Sequence, residues 1–242
     1  MMAQPQGMTL LKAARYTVMP WANGLGTTRE IAIRGHPRPS TATGDTAAAG
    51  PGFIWRLSMA ELSKPGGAFS TLPGVDRVLV LLDGSGVTLA VDGGPAVPLP
   101  RYEPLSFPGD VRTVSVVGSE AGRDLGLMVA REHCTVLGAT VLDGRHAADP
   151  GTAAMPIPDG TTVGFAVAIG GEPAGVDVVG PENGTPDVLE MGLEMAAEDT
   201  VQINLDPGPP RGGRGTGADR RCGLLTARSG RLCVFFIGEH QP

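Results

Sequence analysis

Short apolar runs broken by glycine and proline set the pattern of this chain, and they predict strands rather than helices. Residues 27–34 alternate with period two: Thr27, Arg29, Ile31 and Ile33 share one face, and Thr28, Glu30, Ala32 and Arg34 share the other. The run 53–60 alternates strictly, with Phe53, Trp55, Leu57 and Met59 opposite Ile54, Arg56, Ser58 and Ala60. The run 78–82 is almost wholly apolar and predicts a strand buried on both faces. Asp83-Gly84-Ser85-Gly86 reads as a hairpin turn into 87–91, and Asp92-Gly93-Gly94-Pro95 as a second turn. Strands at 111–117 and 124–130 complete a first set. The pattern weakens between 134 and 159 and resumes at 161–169, 175–179, 188–195, 200–205 and 232–237. Helical pieces are expected only at 8–15 and 136–142. The chain therefore reads as all-β: two antiparallel barrel-like halves, residues 1–133 and 134–242, with room for C-terminal strands to swap into the first sheet.

Length and charge narrow the function classes. The 242 residues suffice for two small barrels, and 41% hydrophobic composition is ordinary for a packed protein. A formal charge of -6 argues against a nucleic-acid backbone or an anionic membrane as partner. No apolar run reaches membrane-spanning length and the N-terminal region lacks a signal-peptide core, so a cytoplasmic location is expected. Cys134, Cys222 and Cys233 form no Cys-x-x-Cys spacing and read as reduced thiols.

The richest stretch is Pro20-Trp-Ala-Asn-Gly-Leu-Gly-Thr-Thr-Arg-Glu-Ile-Ala-Ile33. Asn23-Gly24 and Gly26 supply turn conformations and close backbone approach, bringing Trp21 and the following strand together. Arg29, on the face of two isoleucines, requires either a carboxylate partner or a bound anion. Glu30 points the other way.

With Trp-Arg-Leu-Ser-Met-Ala at 55–60, Phe-Ser-x-x-Pro-Gly-Val-Asp-Arg at 69–77, Leu-Leu-Asp-Gly-Ser-Gly-Val at 81–87, Phe-Pro-Gly-Asp at 107–110 and Arg-Asp-Leu-Gly-Leu-Met at 123–128, the chain resembles the HutD/Ves family over about its first 130 residues. The resemblance implies a bacterial bicupin, an accessory or regulatory factor of histidine degradation, with intermediates such as formylglutamate or urocanate as candidate ligands. Two positions depart from that pattern. Gly126 stands where Asn is usual in Asp-x-Asn-x-Met, and Ala22 where Lys is common. The segments 35–52 and 207–221 are longer than the family needs.

Metal-dependent cupins hold their ion with a His-x-His pair, a Glu and a later His. His36, His133, His146 and His240 have no such spacing, so neither metal nor cofactor is expected. Gly24-Leu25-Gly26 lacks the third glycine and the helix of a dinucleotide site. Arg211-Gly212-Gly213-Arg214-Gly215 is a single copy in an acidic chain and reads as a solvated loop. No Gly-x-Ser-x-Gly elbow is present.

What remains is an anion pocket: Arg29, Arg56 and Arg77 as guanidinium forks, Asn23, Thr27 and Ser58 as neutral partners, and Trp21 as an apolar wall, holding a small carboxylate metabolite. Structural roles stand beside this reading. Arg29 can pair with Asp76 or Asp124, Arg77 can hold the turn before it, and both tryptophans can be core. A second hypothesis makes the protein a metal-independent isomerase or hydrolase with Glu30 or Asp124 as acid or base. A third makes it a protein-interaction module. The oligomeric state, a homodimer included, is left open.

Overall fold

The structure, a computed structural model, describes residues 7–21, 26–35, 51–63, 65–118, 120–146, 153–179, 191–205 and 224–240. Two compact units emerge: Ala14–Thr135 with His240–Pro242, and Met1–Ala13 with Val136–Glu239. Among the described residues fourteen strand pairs are antiparallel, and one isolated bridge, between Leu81 and Arg101, is parallel. The only helical pieces are two short 3-10 turns, among the described residues.

The Ala14–Thr135 unit faces a six-stranded sheet against a four-stranded one. The larger sheet runs, in spatial order, Thr17–Pro20, Thr27–Gly35, Phe53–Leu62, Glu120–Ala130, Val75–Ser85 and Leu105–Pro108. The smaller runs Gly66–Ala68, Thr113–Val116, Thr88–Val91 and Val97–Pro98. Leu62, Leu79, Leu81 and Phe107 of the first sheet pack with Val87, Leu89, Leu99 and Val117 in one buried cluster. This cluster defines the inward face: side chains in register with those leucines point into the barrel.

In the second unit, Gly7–Leu11, Thr200–Asn204, Val163–Ile169, Arg231–Glu239 and Cys134–Asp143 form one sheet. Ala154–Pro156, Leu224–Ser229, Ala174–Val179 and Met191–Met195 form the other. Its core is apolar, with Ala166, Ala168, Val201, Ile203, Leu232, Val234 and Phe236 packed against Val176, Val178, Leu225 and Ala227. The fold is thus all-β with two antiparallel, cupin-like barrels.

The structure corrects several local expectations. The segments read as short helices are largely strand: Gly7–Leu11 takes the first part of 8–15, which keeps only a 3-10 turn at Ala13–Arg15, and Cys134–Asp143 takes all of 136–142. So short a helix is marginal in water, and β-branched Thr135, Val136, Thr140 and Val141 favour the pleated backbone. The Gly7–Leu11 strand pairs with Thr200–Asn204, so it is the N-terminal strand that joins the sheet of the other unit. Asp199 fastens the crossing: it accepts hydrogen bonds from Lys12 Nζ (2.9 Å), Ala13 N (2.9 Å) and Ala196 N (3.1 Å). Burial pushes the Asp199 pKa up, but these bonds outweigh it and hold the carboxyl below its ordinary value.

Asp83-Gly84 does not turn the chain. The Val75–Ser85 strand continues through it, paired with Glu120–Ala130 across a register shift, and the chain changes sheet only at 86–87. A Cβ on Gly84 would lie 2.8 Å from Gly122 Cα, and one on Gly122 would lie 2.0 Å from the Asp83 carbonyl oxygen. These two glycines are required by backbone contact at the bulge.

The segment 36–50, most of the expected insertion at 35–52, lies outside the described residues, as do 207–221, His36, Cys222 and Asn23. Cys134 and Cys233 are buried, and burial pushes the Cys233 thiol up. No helix among the described residues is long and apolar enough to cross a membrane.

Candidate functional site

Pairing across the large sheet lines its inward side chains into three rungs. The first carries Met19, Thr28, Ala60, Asp124 and Leu81. The second carries Thr17, Glu30, Ser58, Gly126, Leu79 and Leu105. The third carries Arg56, Met128, Arg77 and Phe107. Directly opposed residues of antiparallel strands sit on the same face, so four charged side chains and a serine from four strands share one concave surface.

Arg56 Nε lies 2.8 Å from Glu30 Oε2 in a half-buried ion pair. The Nε–H is not aligned for a hydrogen bond, and it is buried without a hydrogen-bond partner among the described residues. Arg56 Nη2 also reaches Met19 Sδ at 3.7 Å. Arg77 is 9% exposed and lies over the Phe69 ring, 5.8 Å from its centroid. One of its terminal nitrogens donates to the Ser70 carbonyl, while its Nε is buried with no hydrogen-bond partner among the described residues. Asp124 is 3% exposed. Burial pushes its carboxyl up to about 7 against the opposing pull of Arg77. The two are not in ion-pair contact, so the attraction does not cancel the desolvation. Burial in turn lowers the Arg77 pKa, which Asp124 partly restores.

Below that titration the inward face carries Arg56 and Arg77 against Glu30 alone, a net single positive charge in a low-dielectric interior. An orphaned buried N–H costs about 1–3 kcal/mol, and a carboxylate is the group that fits a guanidinium edge.

Five candidates from the sequence are brought together here: Glu30, Arg56, Ser58, Arg77 and Asp124. Arg29 and Thr27 are not. They oppose Met59 and Pro20 on the other face, Arg29 stacking over Tyr16 at 5.4 Å and the Thr27 N–H donating to Glu61 at 2.9 Å. The alternation that put Arg29 with both isoleucines fails because the pairing register shifts between Glu30 and Ala32, leaving Ile31 unpaired and turning Ile33 opposite Arg56. Trp21 sits at the edge of the first rung. Its Nε1 donates to Thr28 Oγ1 at 2.9 Å, and its ring lies 3.0–3.2 Å from where a Cβ on Gly26 would be, which is why that position is glycine. Asn23 lies outside the described residues.

Thr28 and Met128 join the same face, two positions from Glu30 and four from Asp124, a spacing that strand alternation alone displays. Of the proposed partners for Arg29, Asp76 pairs with Arg131 (2.8 Å) and Asp124 faces Arg77. Arg131 also bonds Asp110, whose Oδ1 caps the Gly74 N–H at 2.6 Å, so the Pro-Gly-Val-Asp and Phe-Pro-Gly-Asp motifs are welded into one turn structure. Among the described residues no group of three or more His, Cys, Asp or Glu is placed to hold a metal ion.

A cupin-like barrel with a charged, partly unsatisfied interior is the class of protein these observations define. The family model described as HutD matches residues 13–156, more than half of the chain, and the chain belongs to the HutD family. It is similar to an uncharacterized 21.2 kDa protein in the hutC 3′ region of Pseudomonas putida, 37% identical over 123 residues, 51% of this chain and 58% of that one. It is 34% identical to Protein Ves of Cronobacter sakazakii over 129 residues, 52% of this chain and 63% of that one. The matches span somewhat over half the length of these curated relatives. HutD from Pseudomonas fluorescens SBW25, in a structure titled as a formate condition, shares the fold with a TM-score of 0.64 at 23% identity, over 97% of this chain and all of that one.

Proposed function

We propose that the Ala14–Thr135 barrel binds a small carboxylate metabolite, formylglutamate- or urocanate-like, through its side chains alone, and that the protein serves as an accessory or regulatory factor in histidine utilisation. The observation that carries this reading is the buried Arg77 Nε–H, which has no hydrogen-bond partner among the described residues, on the same inward face as the Glu30–Arg56 ion pair and a buried carboxyl. Arg77 and Arg56 receive the carboxylate, Ser58 and Thr28 supply hydroxyls, and Glu30 holds Arg56 in place. The P. putida relative's name places that protein beside hutC, which supports histidine breakdown as the source of ligand.

The test is a thermal-shift screen of the purified protein against histidine, urocanate, formylglutamate and glutamate. A ligand at about 100 times its dissociation constant adds about 2.7 kcal/mol of stability. The expected result is a shift with one carboxylate that disappears in Arg56→Ala and persists in Arg29→Ala, since Arg29 faces away. No shift with any of the four, or a shift kept in Arg56→Ala, overturns the proposal. A second reading, turnover of the same ligand, is favoured by Asp124 alone, because a carboxyl near 7 can exchange a proton at neutral pH. It requires product formation that Asp124→Asn abolishes.

A further inference from the structure

Resting on the carboxylate reading above, we propose that Gly126 is the floor of the ligand site, left without a side chain so that a slim segment of the ligand lies against the strand between Ser58 and Leu79. Four of the glycines in this barrel have a backbone reason to be glycine. A Cβ would strike backbone atoms at 2.3 Å at Gly66, 2.8 Å at Gly84, 2.9 Å at Gly118 and 2.0 Å at Gly122. Gly126 has none. A Cβ there would meet Leu79 Cδ1 at 3.8 Å and Asp124 Oδ1 and the Ser58 carbonyl oxygen at 3.9 Å, all ordinary contacts, and its backbone is not in the left-handed region.

Its position makes the missing side chain harder to explain structurally. Gly126 lies mid-strand, with a partner strand on each side, where glycine weakens a sheet and a β-branched residue strengthens it. Although flanked on both edges, Gly126 and its inward neighbour Met128 are only half buried, whereas outward Leu125, Leu127 and Val129 are fully buried. The inward side of this strand is therefore partly exposed, with room for a small group at ordinary contact distance. That room is bounded by a leucine methyl on one side and by Asp124 and Ser58 on the other.

That geometry selects the ligand. Whatever lies over Gly126 meets an apolar edge at Leu79 and a hydrogen-bonding edge at Asp124. The carboxylate lies one rung away, at Arg56 and Arg77. A ligand that is slim where it crosses Gly126 fits, and a methyl or larger group added on the protein side at that point displaces it.

The experiment is the series Gly126→Ala and Gly126→Val, each measured for melting temperature, far-UV circular dichroism and calorimetric affinity for formylglutamate and for urocanate. The expected result is melting temperatures at or above wild type in both variants, affinity reduced severalfold by Ala, and affinity reduced at least tenfold by Val. A glycine kept for structure predicts the reverse, loss of stability with affinity preserved in the folded fraction. Wild-type affinity in Gly126→Val overturns the inference, as does wild-type affinity in Gly126→Ala should the valine variant fold poorly. A wild-type protein that binds neither acid overturns the carboxylate reading itself, a result read before any variant is made.

Discussion

Replacing Asp124 with Asn tests whether the barrel interior is as dry and as positive as the structure requires. Asp124 is buried on the first rung, and the charged side chains sharing its face are Arg77, Arg56 and Glu30. A carboxyl whose pKa rises from 3.8 to about 7 on folding holds its proton more tightly in the folded chain than in the unfolded one. Its stabilising contribution is complete below 3.8 and is lost as pH rises through about 7. At about 1.4 kcal/mol per pH unit, the raised Asp124 pKa costs the fold about 4 kcal/mol at pH 8, where the carboxyl ionises, and about 2 kcal/mol at pH 5, where the fold must keep it protonated. Asn has nearly the same shape and no charge, so it escapes both costs and leaves Arg77 as it is beside the protonated acid. Urea unfolding at the two pH values gives a difference of differences in which all other titrating groups cancel. Asp124→Asn gains about 2–3 kcal/mol on wild type between pH 5 and pH 8. Parallel pH profiles for the two proteins refute the reasoning, and with it the claim that Asp124 is desolvated.

Two further outcomes follow from the same accounting. Asp199→Ala leaves the Ala13 and Ala196 N–H groups without their acceptor and frees Lys12, so it costs about 1–3 kcal/mol and raises hydrogen exchange along Gly7–Leu11 before the rest of its sheet. Because the folded Asp199 pKa is depressed, the wild-type contribution is present at neutral pH and is lost as pH falls through the acid range, so melting of wild type and variant converges there. Arg131→Ala unties Asp76 from Asp110, and since all three side chains are well exposed, the melting temperature drops slightly at low salt and not at all at about 1 M salt.

How much of this was legible follows from what each feature depends on. Period two within one strand places Arg56 and Ser58 together and Glu30 with Thr28, because the pleat alone decides it. Arg77 facing Asp124 depends on the Glu120–Ala130 strand inserting between Phe53–Leu62 and Val75–Ser85, a non-local pairing that no single run of residues encodes. The bulge that separates Arg29 from Ile33 arises between two strands, so alternation in one of them misleads. The N-terminal strand finds its partner nearly two hundred residues away, through Asp199, and leaves no local mark.

The contrast between the two units then argues where function resides. Both are facing antiparallel sheets whose alternate residues point inward, so the architecture cannot distinguish them. Their inward residues can. In the second unit those positions are Ala166, Ala168, Val201, Ile203, Val234 and Phe236, and a Cβ on Gly164 would already lie 3.2 Å from the Phe236 ring. That interior is filled with apolar side chains and contributes stability. In the first unit the equivalent positions hold two arginines, two carboxyls, a serine and an uncrowded glycine, each of which weakens a barrel that has nothing to bind. On the carboxylate proposal a bound ligand supplies the missing partners, and the uncrowded strand at Gly126 is part of that same proposed site.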